Sequence, residues 1–149
     1  MMLTAKETSL LKDLKSQEKL CVEKYGKSAK EACSGQLKDL FTQIGQKESQ
    51  HLQTIEQIVS GSVPQTGGTT QQTEPVIQPE AYQQSDKQKD AYLCNDTLAM
   101  EKHVSAIYNT SIFEFSDPAV RSALNHIQKE EQQHGEWIYS YMSQNGMYS

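Results

Sequence analysis

Apolar residues recur at helical spacing in four stretches of this chain. The first, near residues 4–32, aligns Leu11, Leu14, Cys21, Val22, Tyr25 and Ala29, and stops at Cys33, Ser34 and Gly35. The second carries Leu37, Leu40, Phe41, Ile44, Ile55, Ile58 and Val59, with Gly61 where a helix C-terminus favours glycine. The third runs through Leu98, Val104, Tyr108, Ile112 and Phe115. Ser116, Asp117 and Pro118 read as a stop followed by a start, with proline in the first turn of the next helix. The fourth holds Val120, Leu124, Ile127, Ile138, Tyr141 and Met142 and closes at Gly146. Residues 61–85 hold three of the four prolines, many Gln and Thr, and no apolar period, which marks a linker. The pattern predicts one all-α domain over 1–149: a helical hairpin at 4–60, a crossover linker at 61–85 and a second hairpin at 86–146.

Polar residues inside the apolar stripes repeat. Glu18 is followed thirty residues later by Glu48 and then His51; Glu101 is followed thirty residues later by Glu131 and then His134. One shift of 83 positions superposes the two sets without a gap and also pairs Tyr25 with Tyr108, Lys19 with Lys102 and Ile44 with Ile127. The chain is therefore read as an internal duplication. Cys33 is the midpoint of Glu18 and Glu48, and Ser116 that of Glu101 and Glu131, so each Glu faces its partner across its own hairpin. Each pair lies about 22 Å from its turn at ~1.5 Å per residue. Hairpins packed with their turns at opposite ends bring both pairs to the middle of a bundle about 45 Å long. The long linker then spans the bundle end to end, which selects a crossover topology over simple up-and-down order.

Glu-x-x-His on a helix puts both side chains on one face, one turn apart. Two such motifs and two further glutamates supply four carboxylates and two imidazoles, a set that builds a carboxylate-bridged two-metal centre. Four buried carboxylates need counter-charge, and two divalent cations cancel them. Oxygen and imidazole donors suit iron or manganese and tolerate zinc. The expected metal ligands are Glu18, Glu48, His51, Glu101, Glu131 and His134, with Glu48 and Glu131 bridging. Tyr25 and Tyr108, two turns beyond Glu18 and Glu101, are placed to donate hydrogen bonds to ligating carboxylates, plain core packing being the alternative. A metal-free polar network descended from such a site is the competing reading. Cys21 and Cys94 are expected in the core. His103, Gln50, Gln133 and Glu130 are expected at the surface, His126 is read as structural, and Trp137 as part of the apolar face of the last helix.

Charge and cysteine usage narrow the classes. The formal net charge of −5 comes without a basic patch, which argues against nucleic acid. No apolar run approaches a membrane span, and the N-terminus lacks a signal-peptide core. Three cysteines without a C-x-x-C pair read as reduced thiols from an intracellular site.

The order Glu, Glu-x-x-His, Glu, Glu-x-x-His resembles the ferritin-like superfamily, rubrerythrins in particular. That resemblance implies a ferritin-like four-helix bundle of two duplicated hairpins joined by a long crossover, with the six residues as di-iron or di-manganese ligands. Two departures stand out. The rubredoxin-like C-x-x-C module of rubrerythrins is absent, and Val104 stands where they often carry a further acidic residue. The second half is also similar to the spore coat protein F family of endospore-forming bacteria. The similarity lies in Met100 to Asn109, the Ser116–Pro118 turn, Glu130 to His134 and Asn145 to Tyr148. It implies location in the spore coat or on the mother-cell side of the cytoplasm, with other coat proteins as partners; a second copy of the chain is a further candidate. Three functions follow: a dimetal oxidoreductase acting on peroxide or dioxygen, a structural coat protein on the same scaffold, or iron handling. The last needs a cage for which the sequence carries no signal.

Overall fold

The computed structural model describes residues 2–64 and 71–148. Among the described residues four helices make up the fold: α1 (Ala5–Glu31), α2 (Gly35–Val59), α3 (Gln84–Ile112) and α4 (Pro118–Gln144). Local chemistry sets their ends. Thr4 and Glu7 form a reciprocal capping box at the start of α1. Ser34 and Asp117 cap α2 and α4 with their side-chain oxygens, and Pro118 opens α4. Gly61 and Gly146 follow α2 and α4 with φ of 97° and 67°, the left-handed conformation that lets the chain turn back on the last carbonyls. α3 ends at Ile112, so Phe115 lies in the turn rather than on the helix, still buried.

α1 packs on α2 and α3 on α4, giving an all-α bundle of two hairpins. α1 also packs on α3, and α2 on α4. Cross-helix bonds fix the directions. Tyr25 meets Glu101, Glu18 meets Tyr108 and Glu7 meets Ser116, so α3 runs antiparallel to α1 and parallel to α2. The two turns therefore sit at opposite ends of the bundle, and the connection from α2 to α3 crosses its length. Residues 71–83 of that connection lie against the helices: Gln43 reaches the Thr73 carbonyl, and Gln36 pairs with the backbone of Gln78.

Each turn is clamped by a carboxylate from the other hairpin. Asp90, wholly buried, accepts the amides of Cys33 at 2.7 Å and Ser34 at 3.0 Å. Glu7 accepts the Ser116 amide at 3.3 Å. The two clamps are themselves related by the 83-residue shift, so the duplication extends to how the hairpins grip each other. Most of the striped residues form the core, including Leu11, Leu14, Phe41, Ile55, Val104 and Leu124, with Cys21 and Cys94 buried in it as free thiols; Val22, Ala29 and Ile112 are half-buried and Val59, in the last turn of α2, is exposed. Gly45 has a packing reason: a Cβ there would come within 3.2 Å of Tyr25 Cβ, so its absence lets α2 close on α1 beside the Tyr25 ring. No helix among the described residues is long and apolar enough to cross a membrane.

Candidate metal centre

The antiparallel pairings carry the six acidic and imidazole residues to one level at mid-bundle, one helix contributing Glu18, another Glu101, and α2 and α4 a Glu-x-x-His each. All six are buried, none more than 3% exposed. They form two overlapping groups, Glu18, Glu48, His51 and Glu131, and Glu48, Glu101, Glu131 and His134. Within each group one donor atom per residue lies within 4.8 Å of every other. Glu48 and Glu131 belong to both groups, the arrangement expected of bridging carboxylates.

The imidazoles face inward through Nδ1. His51 Nδ1 is 2.7 Å from Glu131 Oε1 and 3.5 Å from Glu48 Oε2. His134 Nδ1 is 2.8 Å from Glu48 Oε1 and 3.3 Å from Glu101 Oε1. The Glu48–His134 approach is close but lacks hydrogen-bond alignment: His134 Nδ1 and both Glu48 oxygens have no hydrogen-bond partner, nor do Glu18 Oε2, Glu101 Oε2 and Glu131 Oε2. Buried polar atoms are rarely left so. Here they converge on a common centre from four helices, and a pair of divalent cations would supply both the missing partners and the missing charge. The residues present therefore fit the group that the sequence pattern implies.

The surrounding shell follows the repeat, with one twist. Tyr25 donates to Glu101 Oε1 at 2.6 Å and Tyr108 donates to Glu18 Oε1 at 2.6 Å. Each tyrosine thus orients the glutamate of the opposite half, across the α1–α3 interface, rather than the one on its own helix. Burial, reinforced by the facing carboxylates, raises both phenol pKa values, so both remain donors.

The outward Nε2 atoms break the symmetry. His51 Nε2 lies 2.9 Å from Glu130 Oε1, whereas His134 Nε2 lies 2.6 Å from Gln72 Oε1 of the crossover segment. Gln72 is held in turn by Gln133 Oε1 at 2.6 Å. Glu130 is thus not a surface residue. It is 4% exposed, with Lys47 3.5 Å and His126 3.4 Å away, because α4 turns it inward beside the α2 imidazole. Lys47 and Glu130 match under the 83-residue shift, so opposite charges at equivalent positions were the signal that could have marked them. Gln133 is half-buried on Gln72; Gln50 and His103 are exposed as expected. Trp137 does more than cover the helix, since its ring packs on His134 with centroids 5.6 Å apart.

Charges at the centre are interdependent. Burial and then the Glu48 carboxylate push the Glu18 pKa well up, and burial with Glu101 and Glu48 does the same to Glu131. Burial would raise Glu48 too, but its contacts with His51 and His134 outweigh that and hold it well below the usual range. Burial disfavours charge on His51, yet Glu48 and Glu130 lift its pKa to about 10; Glu101 and Glu48 lift His134 in the same way. In the metal-free site, protons do the neutralising that cations would do.

Fold and site together define a helical-bundle protein with a carboxylate-rich, two-position core. Residues 89–149 match the family model described as the Coat F domain, which covers the second hairpin from early in α3 onward. No curated protein and no solved structure matches the chain significantly.

Proposed function

We propose that the chain is a ferritin-like dimetal protein associated with the spore coat. The observation that carries the reading is the shared use of Glu48 and Glu131 by two four-residue groups whose buried oxygens lack partners. Glu18 with His51, and Glu101 with His134, would complete the two positions, with Tyr108 and Tyr25 fixing the terminal carboxylates. A bound pair of iron or manganese ions would supply two one-electron changes, suited to peroxide or dioxygen. The protein's own part is to exclude bulk water, hold the carboxylates in place and keep both phenols protonated. The Coat F match to the second hairpin supports the coat association and other coat proteins as partners.

Elemental analysis of the purified protein tests this. Wild type is expected to carry about two divalent metals per chain, and a Glu48→Ala/Glu131→Ala double variant close to none. Equal metal content in both would dispose of the centre. A second reading, a structural coat protein on the same scaffold, is favoured by the Coat F match to the second hairpin. A metal-loaded protein that consumes no peroxide with either iron or manganese would favour that reading.

A further inference from the structure

The groove between α3 and α4 holds a cavity of about 400 Å³ whose lining includes Glu101 and Glu131, with Lys102, Gln132 and Glu136 beside them. Leu98 and Gly135 line its walls, and Tyr139 and Tyr148 stand at its mouth with their rings edge to face, centroids 4.9 Å apart. Its size falls within the range of pockets that take small molecules, about 300–1,000 Å³.

The duplication provides an internal comparison. Moved back 83 positions, Leu98 becomes Lys15, Gly135 becomes Leu52 and Tyr139 becomes Glu56. Lys15 Nζ and Glu56 Oε2 stand 3.6 Å apart, an ion pair that bridges α1 and α2 across the matching groove. Leu52 puts a large side chain where α4 has none. Packing does not demand the glycine: a Cβ at 135 would meet Leu98 Cδ1 at 3.7 Å, an ordinary contact. Glycine within a helix costs stability relative to alanine, so Gly135 opens space that the bundle itself does not need. Two halves alike in ligands thus differ in the residues that cover them.

We propose that the α3–α4 groove is the access route and binding pocket of the centre, and that its ligand is a small, largely apolar molecule. The proposal rests on the dimetal reading above. The apolar lining matches such a body, and the side chains of Glu101 and Glu131 close the inner end of the groove, their partnerless oxygens buried on the side of the centre.

The test uses 4-fluorophenol as probe and the intact protein with its metal content determined. Saturable binding by fluorine NMR is expected, with shifts at the Leu98 methyls and none at those of Leu14. Gly135→Leu, which copies Leu52, should weaken binding at least about tenfold with metal content unchanged. The pair Leu98→Lys/Tyr139→Glu, which copies the Lys15–Glu56 cover, should do the same. Absence of saturable binding to wild type, unmoved Leu98 methyls, or variants that bind the probe as wild type does would overturn the pocket. A wild-type protein that binds the probe but carries no metal would instead sink the dimetal reading and leave the pocket standing.

Discussion

Loading the metal-free protein with divalent cations should expel protons, and the site sets how many. Four groups there hold protons more tightly than usual: Glu18 and Glu131 through burial and neighbouring carboxylates, His51 with a pKa of about 10, and His134 through Glu101 and Glu48. Imidazole must be neutral and carboxyl ionised to ligate, so each bound cation displaces protons. Up to four can leave for two cations, an exchange that conserves charge in a buried site and is favoured for that reason. Raising the pH removes the competing protons, so affinity rises with pH, by up to about a hundredfold per pH unit per cation where two protons leave with each. The assay is calorimetric titration of Zn²⁺ into metal-free protein at pH 7, repeated in buffers of different ionisation enthalpy. The slope of heat against ionisation enthalpy gives the protons released. Between two and four per pair of cations is expected, on the order of one to two for each. No release, with affinity flat from pH 6 to pH 8, would show that these cations bind elsewhere and would refute the argument.

Two further outcomes follow from the cross-repeat contacts. Tyr25→Phe and Tyr108→Phe each free a terminal glutamate of its donor, at Glu101 and Glu18. Each should weaken metal binding about 10–100-fold in chelator competition with little change in fold, and unequal effects would mean that the two positions are not equivalent. Asp90→Ala removes the acceptor of the Cys33 and Ser34 amides and of the Tyr82 hydroxyl. It should cost about 3 kcal/mol or more in denaturant unfolding of the metal-free protein, since bonds to a charged acceptor are worth about 1.5–3 kcal/mol each. A loss under about 1 kcal/mol would show that the turn holds without its clamp.

The helices and the six converging residues were legible because both are periodic signals. Apolar spacing marks the buried face, and a carboxylate within that face is conspicuous, as Glu18 and Glu101 are. The midpoints Cys33 and Ser116 then set the height of each pair, and burial of all six at one level agrees with that geometry. What escaped depends on side chains that reach between elements. Tyr25 and Tyr108 are long enough to cross to the neighbouring helix, which spacing along one helix does not reveal. Glu130 was read as solvent-facing despite its place next to Glu131, yet the facing imidazole of His51 draws it inward. Gln72 lies in a stretch with no apolar period, and nothing in its neighbours marks it as the partner of His134.

Duplication explains the symmetry of the ligands, and departures from it show what each half does separately. The inward groups, Glu, Glu-x-x-His and Tyr, repeat without change, as the proposed pair of like cations would require. The outward groups have diverged. Carboxylate Glu130 backs His51 and a neutral amide, Gln72, backs His134. A carboxylate partner raises the basicity of an imidazole more than an amide does, so on the proposed dimetal reading the two positions would differ in electron-donating power. The half with the neutral backing is also the half whose groove reaches Glu101 and Glu131. Covering and imidazole backing therefore differ together: the first half carries Lys15, Leu52, Glu56 and a carboxylate-backed imidazole, and the second carries Leu98, Gly135, Tyr139 and an amide-backed one. In a site of two identical duties neither difference would be needed. Their coincidence favours a division in which the first position holds its cation firmly and the second meets what enters from solvent.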